Sequence, residues 1–86
     1  MVSNLILPIV HMNGTSKGAL LAQNRKAWDA INDAYAALKQ AAPNARDYYP
    51  VPGLYPKAID QHMDRLRRLD SVADELRAEA EAIYDM

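Results

Sequence analysis

The sequence predicts an all-α fold: an antiparallel two-helix hairpin with an extended N-terminal arm, assembling into a homo-oligomeric helical bundle. Three observations carry this reading. Two long stretches repeat apolar residues at alternating steps of three and four, the spacing of a left-handed helical seam. Between them lies Pro43-Asn44-Ala45-Arg46-Asp47-Tyr48-Tyr49-Pro50-Val51-Pro52-Gly53-Leu54-Tyr55-Pro56, with four of the five prolines and three of the five tyrosines. Such a segment is a stiff elbow that reverses the chain, not a flexible linker. With 86 residues, one domain spanning 1–86 is the upper bound, and its core is marginal without a partner copy.

Residues 1–12 read as an extended arm. Leu5, Ile6, Leu7, Ile9 and Val10 are apolar and strand-prone, while Pro8 forbids a helix interior and confines any strand to an edge. The arm therefore packs along its own or a neighbour's helices, or exchanges as a strand between subunits. Asn13-Gly14 marks a turn with positive φ, and Thr15 or Ser16 caps the helix that follows.

The first helix is expected over 16–42. Leu21, Asn24, Trp28, Ile31, Tyr35, Leu38 and Ala42 form its bulky seam. A second row, Leu20, Gln23, Ala27, Ala30, Ala34, Ala37 and Ala41, is small enough for another helix to approach closely. A hairpin partner covers one such face, so the other calls for a further copy. Asn24 within the seam either fixes register and oligomer state as a buried polar group or faces solvent. The elbow is expected over 43–56 and the second helix over 57–84, with Pro56 suited to a first turn. Its seam is Ile59, His62, Leu66, Leu69, Ala73, Leu76, Ala80 and Ile83. Alternating charges, with pairs such as Asp64 and Arg68 four apart, form its solvated back.

Composition narrows the function classes. Net charge is -1, without the basic field that drives binding to DNA or RNA. There is no cysteine, which removes disulfides and thiolate chemistry and suits a reducing compartment. The run from Leu5 to Val10 is too short to span a membrane and lacks the flanks of a signal peptide. A cytoplasmic protein without membrane partners is the expectation. Zinc-protease, paired-cysteine, glycine-rich phosphate-loop and GxSxG patterns are all missing. His11 and His62 alone do not make a metal site. His62 is expected to donate to a backbone carbonyl or to Asp47, or to serve as a general base. The reading is a non-enzyme with no cofactor.

Two polar clusters remain as ligand-binding candidates. Asn13, Gly14, Thr15, Ser16 and Lys17 combine amides, hydroxyls and a cation at a helix start, which suits an anion or phosphate; capping alone also explains Thr15 and Ser16. Arg46, Asp47, Tyr48 and Tyr49 offer a guanidinium and two phenols for phosphate pairing or base stacking; closing the bundle end also explains the tyrosines. The clusters lie at opposite ends of the first helix, about 40 Å apart by helical rise. An antiparallel dimer brings them together, and that mixed site suits a small anionic, nucleotide-derived ligand.

At His11-Met12-Asn13-Gly14-Thr15-Ser16, Leu20-Leu21-Ala22-Gln23 and Pro43-Asn44-Ala45-Arg46-Asp47-Tyr48-Tyr49, the chain resembles small uncharacterised proteins of tailed phages. The likeness runs from His11 onward. Its expected plan is also similar to that of the compact helical phage sponges that sequester cyclic-nucleotide immune signals, although no residue motif of those sponges is present. The resemblance implies an anti-defence protein of the host cytoplasm. A structural or assembly accessory, or an inhibitor docking on a host protein through its arm and elbow, is the alternative.

Overall fold

The computed structural model describes residues 4–86, and Met1, Val2 and Ser3 of the expected arm lie outside the described residues. Two helices, α1 (Lys17–Gln40) and α2 (Leu54–Tyr84), flank a short 3-10 helix at Ala45–Asp47. The helices pack against each other. Their antiparallel sense follows from two bridges: Lys17 at the start of α1 reaches Met86, and Asn24 reaches Leu76.

Each boundary has a local cause. Ser16 caps α1, its Oγ accepting from the Ala19 amide at 3.1 Å. At the other end Pro43 disfavours the α region for Ala42. The last turn accordingly tightens, with the Ala41 and Ala42 amides donating to the Leu38 and Lys39 carbonyls. In the elbow, Asn44 Oδ1 accepts from the Arg46 amide at 3.1 Å and so caps the 3-10 turn. Successive bonds from Val51 to Tyr48 and from Leu54 to Val51 carry the chain round. The Tyr48 and Tyr55 rings pack at 6.2 Å between centroids.

Two expectations are corrected. The second helix begins at Leu54, three residues before 57, because Gly53 at φ 85 makes the break. Pro56 then falls in the first turn, where its missing N–H has no intrahelical acceptor to lose. Gly14 does not take positive φ; among the described residues only Gly53 does. What Gly14 allows is close approach, since a Cβ there would meet His11 Nε2 at 2.7 Å. No strand forms among the described residues, and residues 4–11 run without regular structure.

The expected bulky seam of α1 faces α2. Leu21, Trp28, Ile31, Tyr35 and Leu38 are half-buried and Asn24 is buried, whereas Gln23, Ala27, Ala30, Ala34, Ala37 and Ala41 are exposed. On α2 the buried positions are His62, Leu66, Ala73 and Ile83. The core is therefore thin, and Ile83 is its single large side chain that is fully buried among the described residues. The molecule measures 62 × 23 × 17 Å with a radius of gyration of 18.2 Å, against about 12 Å for a compact chain of this length. Its accessible surface is 6703 Å², where a compact monomer of 9.6 kDa exposes about 5,100 Å².

Candidate functional site

The first polar cluster sits where the chain turns into α1. The Gly14 amide donates to the His11 carbonyl at 3.2 Å, which closes the turn and lays the imidazole over Gly14. Ser16 is committed to capping. Lys17 is engaged twice, its Nζ donating to the Met86 backbone oxygen at 3.0 Å and lying 5.4 Å from the Tyr84 ring centroid. Asn13 and Thr15 are exposed, and their side chains make no hydrogen bond among the described residues.

The second cluster occupies the elbow at the far end. Arg46 lies in the 3-10 turn and is exposed; its guanidinium forms no ion pair among the described residues. Tyr48 is half-buried against Tyr55, whereas Tyr49 is 78% exposed. Within one chain the two clusters stay at opposite ends of a 62 Å molecule.

His62 departs from expectation. It is buried on the α2 seam, yet its nitrogens take neither a backbone carbonyl nor Asp47 as partner among the described residues. No sealed side-chain nitrogen or oxygen is left unpaired among the described residues. Among the described residues no three His, Asp or Glu side chains converge to hold a metal ion, and no helix is long and apolar enough to cross a membrane.

A groove that the sequence reading did not foresee runs along the open end of the hairpin. Leu21, Asn24, Arg25, Trp28, Arg77 and Ala80 line about 390 Å³. Through Leu21 and Ala80 it continues into a cleft beside Glu81, Tyr84 and Asp85. Arg25 pairs with Asp29 at 3.0 Å and lies 5.2 Å from the Trp28 ring centroid. Arg77 has no ion-pair partner among the described residues. Trp28 is the chain's single tryptophan, and its place in the seam made it read as core. A two-helix seam leaves one flank of so large a ring uncovered, and that flank is the groove wall.

Comparison of the chain with family models, with curated proteins and with solved structures finds no match.

Proposed function

We propose that the chain is a phage-type, non-enzymatic, homo-oligomeric anti-defence protein that sequesters a small anionic, nucleotide-derived ligand at subunit interfaces in the host cytoplasm. The observation that carries the reading is the pairing of unengaged polar groups with an unpartnered helix face. Among the described residues the side chains of Arg46 and Tyr49 at one end of the hairpin, and of Asn13 and Thr15 at the other, are exposed and make no hydrogen bond or ion pair, while the alanine row of α1 lies exposed between them. A second copy packed antiparallel on that row brings each elbow to its neighbour's α1 start. Guanidinium, phenol, amide and hydroxyl groups then surround one ligand. Removal of an immune messenger follows by mass action, without turnover.

Isothermal titration against cyclic and linear nucleotides tests this. Arg46→Ala is expected to weaken binding about 10- to 100-fold, the loss of one charge-assisted hydrogen-bonding group. Lys17→Ala is expected to weaken it less, because Lys17 already donates to Met86 within its own chain. Absence of binding across the panel overturns the proposal.

Exposed Tyr49, Val51 and Leu54 at the elbow favour a second reading, a phage assembly accessory or host-protein inhibitor anchored there. A stoichiometric protein partner lost on Tyr49→Ala, with no nucleotide bound, selects it.

A further inference from the structure

The arm has a three-residue rhythm of exposure. Leu5 and Pro8 are half-buried, Leu7 and Val10 are each 38% exposed, and Ile6, Ile9 and Met12 stand out at 91%, 82% and 97%. Three residues per turn is the repeat of the polyproline II helix, which Pro8 favours. One edge, Leu5 and Pro8, therefore rests on the chain's own body, and beside it Pro8 and Val10, with the flank of Ile9, line a cleft with Lys17 and Met86. The opposite edge is an apolar ridge in water. Residues 4–10 also make no backbone hydrogen bond among the described residues, so their carbonyls are open to donors.

We infer that this ridge docks in the open-end groove of a second copy, so that arms are exchanged between hairpins. Three properties of the groove fit it. Its walls are the rings of Trp28 and Tyr84 with Leu21 and Ala80 between, and aromatic-lined grooves are what extended proline-containing segments occupy. Ile6 and Ile9 are about 9 Å apart at the polyproline rise, and Leu21 and Trp28 are about 10 Å apart along α1. At the rim Arg77, which has no ion-pair partner among the described residues, supplies guanidinium donors for the arm's carbonyls. Within its own chain no arm residue lines this groove, and Ile6 and Ile9 stay 91% and 82% exposed, so the occupant is another chain's.

The arm leaves from the end of the hairpin where the groove lies, beside Lys17 and Met86. Two copies meeting at their open ends exchange arms reciprocally, as an isologous contact requires. This contact does not use the alanine row, since Arg25 and Gln23 lie about 100° to either side of Asn24 on α1. The accessible surface of 6703 Å² exceeds that of a compact monomer by about 1,600 Å², and a standard interface takes about 800 Å² from each partner. That area suits two contacts per chain, one lateral and one through the arm. The arm contact does not depend on the ligand proposed above.

The test is the I6D/I9D variant, followed by light-scattering mass and Trp28 fluorescence over a hundredfold range of concentration. Both positions are exposed, so helix content by circular dichroism stays unchanged. In the wild-type protein Trp28 emission moves to the blue as concentration rises. In the variant the dissociation constant of the contact increases at least ~100-fold, the expected loss of two buried isoleucines, and the blue shift disappears. Arg77→Gln tests the same contact from the groove side and weakens it by a smaller factor. Equal mass and equal emission for wild type and I6D/I9D overturn the inference. So does a Trp28 blue shift in wild type that is independent of concentration, which would place the arm in its own groove. Nucleotide titration that fails while arm dependence persists rejects the sequestration reading alone.

Discussion

Asn24 does more than occupy a seam position. Its Nδ2 donates to the Leu76 carbonyl of α2 at 2.9 Å, a bond across the hairpin from a buried amide to a half-buried residue. A helix carbonyl has a second lone pair, so Leu76 accepts this bond without leaving its own helix ladder. Shifting α2 by one residue removes the acceptor and strands a buried amide, so the bond specifies register. Asn24→Ala is expected to lower stability by about 1–2 kcal/mol through the lost bond and the space left behind; urea unfolding measures it, and an unchanged midpoint contradicts the role. The surface ion pairs carry less weight. Asp64 serves both Arg68 at 3.0 Å and Arg67 at 3.7 Å, all exposed, and such pairs contribute a few tenths of a kcal/mol at most.

The elbow makes the hairpin possible, and two glycines show how backbone conformation separates from packing. Gly53 caps α2 at φ 85, and nothing lies within 4 Å of where a Cβ would sit. Gly53→Ala therefore costs only the left-handed backbone penalty, about 1 kcal/mol. Gly18 also has open space around it but lies in the first turn of α1. Gly18→Ala is expected to stabilise by up to ~1 kcal/mol, by lowering the entropy of the unfolded chain and improving helix propensity. Thermal unfolding of the two variants gives shifts of opposite sign. Shifts of the same sign refute the assigned cap conformation.

The whole molecule is a rod with little core. A radius of gyration of 18.2 Å and a core of few buried apolar side chains leave the hairpin short of the burial that stabilises a domain of this size. The self-association proposed above would couple assembly to folding and make stability depend on protein concentration. A hundredfold rise in concentration is expected to raise the melting midpoint by roughly 5–10 °C, read by circular dichroism. A constant midpoint over that range shows that the isolated hairpin is stable alone.

Two helices, a reversing elbow and the bulky seam of α1 were legible in the residues. Periodicity, Ser16 as a cap and Pro43 as a stop are local properties that act within a turn or two of chain. α2 starts at Leu54, three residues before the 57 that Pro56 suggests, because Gly53 supplies the break. For the candidate site, legibility stopped at which residues carry suitable chemistry. That Lys17 is bound to Met86, that Asn24 points inward to Leu76 and that Trp28 and Arg77 wall one groove all depend on how α1 and α2 are rotated and slid against each other. That rotation is set by side chains far apart in sequence, and no local pattern encodes it. The same holds for the arm: composition made residues 4–12 extended and apolar, whereas contact with the body of the hairpin decided that Ile6, Ile9 and Met12 are the edge left facing water.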